Sequence, residues 1–199
     1  MITIAHINKV LLRHQPRRLE LVAPKQAAVA MLLTDTADGP EVMFIRRAEY
    51  EGDPWSGDVA FPGGGIETQD NGPQQAAERE VWEEIGLQLQ PKQCLGQLDD
   101  LAGAYLPIQI FCFVYLLPEK PALQLNDEVV DTFWVPLAQL LNPQRRKRAS
   151  FEYRGTSRTH PIIDLEGYCE RFLWGITYRL FESFFKLLGC LPHATKTKE

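Results

Sequence analysis

Glu80, Glu83 and Glu84 stand in the run Arg79-Glu80-Val81-Trp82-Glu83-Glu84-Ile85-Gly86-Leu87, shortly after Gly63, Gly64 and Gly65. A helix advances about 100° per residue, which places the three glutamates within roughly 100° of arc. Ala77, Val81 and Ile85 occupy the adjoining arc and give the helix an apolar stripe to bury. Like charges three and four residues apart repel, so a solvated helix gains nothing from this spacing. A hard divalent cation turns the repulsion into binding, because Mg²⁺ and Mn²⁺ prefer clustered carboxylate oxygens. The glycines let a backbone come close to such a site and adopt positive φ. The competing reading is a solvated acidic helix after a glycine turn. Arg79 lies four residues before Glu83, where a helical ion pair can form, with surface solvation as its alternative. Trp82 sits opposite the carboxylates, and packing on the far side of the helix is favoured over stacking on a base.

The elements that must position these residues can be read from pattern. The acidic helix is expected to start after Asn71-Gly72-Pro73, with proline near the first helical position, and to end at Gly86. Ala27–Thr34 and Glu41–Arg46, joined by an Asp/Gly-rich turn, predict a hairpin, and Asp58–Phe61 a strand running into the glycines. Leu95–Leu98, Ile108–Leu116 and Val129–Val135 read as further strands, and residues 136–141 as a short helical turn. Residues 3–14 predict a short amphipathic helix with Ile4, Ile7, Val10 and Leu11 on one face, inside an N-terminal extension of residues 1–24. Residues 142–158 are polar and basic, a long loop or a hairpin around Phe151-Glu152-Tyr153. Arg171–Leu188 should be a core-packing helix, and residues 190–199 a flexible tail. No repeat or linker divides the chain, so residues 1–199 read as one domain. Helices separated from runs of strands suit an α+β sandwich.

The composition narrows the function. The 199 residues carry a net charge of −5, which advertises neither a nucleic-acid nor a membrane-surface partner. The longest apolar runs are too short to span a bilayer, and no signal peptide is visible. Cys94, Cys112, Cys169 and Cys190 are scattered without metal-type spacing, which suits free thiols in a reducing, cytoplasmic setting. His160 and the other histidines show no ligand spacing.

The acidic run resembles the Nudix hydrolase box, G-x5-E-x7-R-E-U-x-E-E-x-G-U, where U is Ile, Leu or Val. Arg79, Glu80, Val81, Glu83, Glu84, Gly86 and Leu87 match each defined position of its second half. The first half departs. With Gly64 as the box glycine, the spacing to Arg79 is one residue too long; with Gly65, the box glutamate falls on Asn71. Glu67 or Asp70 must then supply the loop acid. The resemblance implies an α/β/α sandwich with a mixed central sheet and a nucleotide-type small-molecule substrate. It implies Mg²⁺ or Mn²⁺ held by Glu80, Glu83 and Glu84, and an Arg79 that orients a box glutamate. In this family a further acid often comes from a downstream turn; Glu128 is the candidate here, against a solvated turn. Asp99 and Asp100 are weaker ones. Members are often dimers, so a homodimer is an open expectation.

The approach to the box is similar to the coenzyme A pyrophosphatase branch: Arg47-Ala48, then Gly57, Phe61-Pro62-Gly63-Gly64, then Glu67 and Asp70 in a long loop. Leu173-Trp174-Gly175-Ile176-Thr177 resembles the same group. One position differs, since that branch carries an arginine where this chain has Asp53. The expected site therefore comprises Glu80, Glu83, Arg79 and Glu128 for catalysis, and Gly63, Gly64, Gly65 and Arg47 toward substrate phosphates. The expected reaction is metal-dependent hydrolysis of a nucleoside diphosphate-linked pyrophosphate, with coenzyme A or a derivative giving 3′,5′-ADP and 4′-phosphopantetheine. Arg145-Arg146-Lys147-Arg148 could meet a 3′-phosphate, with a solvated basic loop as the favoured alternative. The rivals are a house-cleaning hydrolase of ADP-ribose or nucleoside triphosphates, and a nucleotide-binding module without catalysis. The intact acids of the helix argue against the last.

Overall fold

In the computed structural model, residues 2–20, 25–52, 55–104, 106–153 and 156–191 are described. Strand β1 (Lys25–Thr36) turns at Ala37-Asp38 into β2 (Gly39–Arg47), with Thr36 paired to Gly39, as the apolar pattern predicts. Along its other edge β1 runs parallel to β7 (Ile108–Leu117), from Lys25 beside Ile108 to Thr34 beside Leu117. The other pairings of this sheet are antiparallel: β3 (Val59–Ala60) and β8 (Val129–Pro136) on β2, β4 (Gly63–Gly65) on β1, and β5 (Cys94–Gln97) and β6 (Leu101–Ala102) on β7. The result is a mixed sheet.

Side chains alternate between the two faces of a strand, and here each face has its own core. Met31, Leu33, Val42, Phe44, Cys112 and Val114 pack on one side against Ile7 and Leu11 of α1 (Ile4–Leu11) and Phe181, Phe184 and Phe185 of α4 (Gly175–Leu187). Ala30, Leu32, Met43, Ile45, Phe113 and Tyr115 pack on the other against Ala77, Val81 and Ile85 of α2 (Pro73–Ile85). This is the expected α+β sandwich of helices about a sheet. Among the described residues, no helix is long and apolar enough to cross a membrane. All four cysteines are free.

Three local expectations are corrected. The triple glycine is a strand rather than a loop, because Ala27, Ala28 and Val29 pair with Gly65, Gly64 and Gly63. Of the two readings of residues 142–158 the hairpin holds and the long loop does not, and the correction is to where its strands run. Here α3 is Leu137–Leu141, and β9 (Arg146–Tyr153) pairs with β10 (Thr156–Asp164), so Phe151–Tyr153 lies inside a strand and not at the turn. The C-terminal helix begins at Gly175, since Phe172 and Leu173 leave the helical path as β11 (Phe172–Leu173) and pair with Asp164 and Ile163 of β10. The tail beyond residue 191 lies outside the described residues.

Candidate active site

Helix α2 delivers the acids. Pro73 opens it and Gly86 closes it in the left-handed region, its N–H donating to the Trp82 carbonyl at 2.9 Å. Arg79 is the hub. Its Nη1 donates to Glu80 Oε1 at 2.9 Å and to Glu83 Oε2 at 2.8 Å, while Nη2 donates to the Gly65 carbonyl at 2.9 Å. Its Nε and Nη2 grip both oxygens of Asp70 at 3.0 Å each, the bidentate geometry that a guanidinium makes with a carboxylate. The Asp70 side chain is only 2% exposed, and its Oδ2 also accepts the Glu67 N–H at 2.8 Å. These hydrogen bonds, Arg79's first, hold the Asp70 carboxyl below its usual range. Glu67 is exposed and only within 4.0 Å of Arg79, so Asp70 is the loop acid that reaches this arginine.

Phe61 and Pro62 explain why the glycine strand lies where it does. The Phe61 ring stacks on Phe44 and packs on Phe181, and the Pro62 carbonyl accepts from Ala30 N–H at 2.9 Å. The strand then passes directly against the acids. Gly63 N–H donates to Glu84 Oε2 at 2.8 Å, so this amide is committed to a carboxylate. A Cβ on Gly64 would stand 2.5 Å from Glu80 Oε2, so any side chain there would displace the Glu80 carboxylate. Nothing lies within 4 Å of a Cβ on Gly65, whose part is its carbonyl. Glu84 is buried, at 1% exposure. Burial pushes its carboxyl up to about 8, against the Gly63 hydrogen bond and the nearby Arg47, and with repulsion from Glu80 and Glu128 adding to it. Glu80 is raised as well, first by burial, with Glu83 and Glu128 adding repulsion against the pull of Arg79.

Glu128 is brought in by the segment before β8. Gln124 N–H donates to the Ile85 carbonyl at 2.9 Å and Asn126 N–H to the Glu84 carbonyl at 3.0 Å, fastening this segment to the C-terminal end of α2. Asn126 Oδ1 accepts the Glu128 N–H at 2.9 Å. Arg47 ends β2 at a register shift opposite β8, where its charge acts on Glu84. The structure thus gathers Arg79, Glu80, Glu83, Glu84, Gly63–Gly65, Arg47 and Glu128 in one region.

The other residues singled out from sequence do different work. Asp100 is buried and accepts from Leu19 N–H at 3.1 Å, Gln97 Nε2 at 3.1 Å and Gln109 Nε2 at 2.8 Å. Asp99 accepts the Arg17 N–H at 2.9 Å, so this acid pair fastens the N-terminal segment. Trp82 is 56% exposed, against the expectation that it packs. His160 joins an aromatic group with Phe151 and Trp174. Arg145, Arg146, Lys147 and Arg148 bond within the hairpin and its neighbours rather than forming a solvated loop. Asp53 lies outside the described residues.

Two features escaped the sequence reading. Trp174 Nε1 donates to Asp58 Oδ1 at 2.8 Å, and Tyr50 Oη donates to the Asp127 carbonyl at 2.9 Å. The likeness of both the Gly57–Gly64 and Leu173–Thr177 stretches to one group was the available signal for the first; nothing in the sequence pointed to the second.

The acids offer only oxygen donors, the set that hard divalent ions prefer. Among the described residues no three Asp, Glu, His or Cys side chains already converge as a metal cluster, and the cation between Glu80 and Glu83 is the Arg79 guanidinium. The donor chemistry still fits such an ion. Glu80 and Glu84 are held above their usual range partly by neighbouring acids, and the bare backbone at Gly64 leaves room for the Glu80 carboxylate.

The family model described as the NUDIX domain matches residues 24–155. The chain belongs to the Nudix family. Its membership makes it a pyrophosphohydrolase, and Nudix hydrolases generally need a divalent metal. It is 28% identical over 198 residues to an uncharacterized Nudix hydrolase, NudL, of Salmonella newport, covering 93% of this chain and 98% of that one. Against NudL of Salmonella paratyphi B it is 31% identical over 141 residues, 69% of this chain and 70% of the relative. An uncharacterized protein of Schizosaccharomyces pombe is 34% identical over 131 residues, 61% of this chain; the match spans 40% of the length of that relative. A MutT/nudix family protein from Enterococcus faecalis shares the fold, with a TM-score of 0.59 at 18% identity over 94% of this chain and 70% of that one.

Proposed function

We propose that this Nudix chain hydrolyses the pyrophosphate of a nucleoside diphosphate-linked compound, with coenzyme A or a derivative as the preferred substrate. The carrying observation is the Gly64 backbone against Glu80, beside an Arg79 locked by Asp70 and a buried Glu84. Glu80, Glu83 and Glu84 would hold Mg²⁺ or Mn²⁺, which when bound neutralises phosphate charge and lowers the pKa of a bound water. Arg79 restrains Glu80 and Glu83, so their oxygens need little reorganisation. Glu80 or Glu128 takes the proton from the attacking water. Oxygen of that water bonds to one phosphorus, the bridging P–O bond breaks, and its electron pair leaves on the second phosphate. Arg47 and the backbone of Gly64 and Gly65 border the phosphates.

Support for coenzyme A comes from adjacency. The Gly57–Gly64 and Leu173–Thr177 stretches, both similar to the coenzyme A branch, are joined through the Trp174–Asp58 hydrogen bond. A panel of coenzyme A, ADP-ribose, dinucleotides and nucleoside triphosphates, each with Mg²⁺ and Mn²⁺, tests the reading. The expected result is the highest kcat/KM on coenzyme A, with 3′,5′-ADP and 4′-phosphopantetheine as products. Preference for ADP-ribose or a triphosphate removes the substrate assignment. Binding without turnover of any compound removes the enzymatic one.

A further inference from the structure

Glu128 is an exposed acid on a turn, and a group that handles a reacting proton must be held to about half an ångström. Its own turn supplies one local restraint, the Asn126 Oδ1 that accepts its N–H. A second comes from outside, where the Glu128 carbonyl accepts the Ala48 N–H at 2.8 Å. Ala48 belongs to a short ladder that prolongs the β2–β3 pairing: Arg47 N–H donates to the Asp58 carbonyl at 3.0 Å, and Gly57 N–H to the Ala48 carbonyl at 3.3 Å. Trp174 fixes the far edge of that ladder through the Asp58 carboxylate. Its ring is itself held by Phe151, with centroids 4.7 Å apart, and by His160 at 5.8 Å.

The near edge is tied by Tyr50. Its N–H donates to Ser56 Oγ at 2.9 Å across the loop, and its hydroxyl donates to the Asp127 carbonyl, next to Glu128. Gly57 shows how closely this loop is packed. It sits at φ +70, and a Cβ there would come within 3.2 Å of Glu49 and 3.4 Å of the Arg171 guanidinium. The Arg171–Glu49 pair is exposed on both sides and adds little by itself.

We propose that Trp174 and Tyr50 are positioning residues for Glu128, Trp174 acting through the ladder of Arg47, Ala48, Gly57 and Asp58, and Tyr50 tying the same loop to Asp127. This rests on the role given to Glu128 above. Hydrogen exchange and kinetics on the full chain test it, using Trp174→Phe, which keeps the ring and removes the N–H, and Asp58→Ala, which removes the acceptor. Tyr50→Phe does the same for the second edge. Each variant is expected to speed exchange of the Ala48 amide about tenfold and to lower kcat about tenfold with little change in KM. Combined with Glu128→Gln, Trp174→Phe should add no further loss, because two residues acting through one group are not additive. Multiplying losses, or an Ala48 amide as protected as in the parent, overturn the proposal. So does faster exchange throughout α2, the mark of a general loss of packing. A Glu128→Gln variant with full turnover overturns the role of Glu128 itself, and is told apart because the Ala48 amide still reports on the ladder.

Discussion

The face of α2 and the stretch leading into the β9–β10 hairpin each gather like charges, and they resolve their repulsion in opposite ways. There Arg145, Arg146, Lys147 and Arg148 each meet an acceptor. Arg145 donates to the Asp164 and Glu166 carbonyls and lies over the Tyr168 ring, and Arg146 donates to Glu182 at 2.6 Å. Lys147 pairs with Asp164 and Arg148 reaches the Thr159 carbonyl. On α2 and its surroundings, Asp70, Glu80, Glu83, Glu84 and Glu128 share the guanidiniums of Arg79 and Arg47, and two of the acids carry raised pKa values. Clustering of charge is thus not in itself the mark of a site. The mark is the charge left over once local partners have been satisfied.

The largest test of this contrast exchanges charge for amide on each side. Glu83→Gln and Glu84→Gln are expected to lower kcat by about a hundredfold or more, as loss of a metal ligand does, while Arg148→Gln leaves it within about twofold. Equal losses on both sides in a steady-state assay would erase the distinction. Next comes Gly64→Ala, which forces a methyl onto the Glu80 carboxylate; turnover should fall about fiftyfold, with only about 1–3 kcal/mol of stability lost to overpacking. Chemical denaturation alongside kinetics separates the two effects.

Asp70→Asn is the intermediate case. It takes away the bidentate partner of Arg79 but leaves Glu80, Glu83 and the Gly65 carbonyl, so the cost is that of a charge-assisted hydrogen bond, about 1.5–3 kcal/mol. Stability should fall more than turnover, which drops about tenfold as Arg79 loosens its hold on Glu80 and Glu83. An unchanged melting temperature would deny the pair its structural part.

The smallest effect is a pH slope. Glu84 moves from its ordinary 4.5 to about 8 in the folded chain, so between these values the folded form keeps a proton that the unfolded form releases. Stability from this group is full below about pH 4.5 and is lost as pH climbs through about 8. Metal-free protein in a chelator should therefore melt at a lower temperature at pH 8 than at pH 6, and Glu84→Gln should flatten that slope. Saturating Mn²⁺ should oppose it, because carboxylate ligands bind in ionised form.

Much of this arrangement was legible in the sequence, for reasons that can be named. Helix α2 shows itself through the spacing of Ala77, Val81 and Ile85, and the β1–β2 hairpin through two apolar segments about an Asp/Gly turn, since burial imposes a period on both. Strand β4 stayed hidden because three glycines carry no period at all; only its pairing with Ala27–Val29 makes it a strand. The two residues of β11 are too few to break a helical pattern. Glu67 and Asp70 are alike by type, and what separates them is depth, which no local pattern encodes. Asp100 looked like a spare acid, yet it is occupied by Leu19, Gln97 and Gln109.

Helices α1 and α4 have a practical consequence. The family likeness runs from 24 to 155, but Ile7, Leu11, Leu180, Phe181, Phe184 and Phe185, which wall one of the two cores, all lie outside it. A fragment trimmed to the region of likeness would keep every acid of α2 and expose the apolar underside of Met31, Leu33 and Phe44 to water. The domain likeness marks out the part of this molecule that carries the acids, whereas cooperativity in folding extends to the segments before and after it.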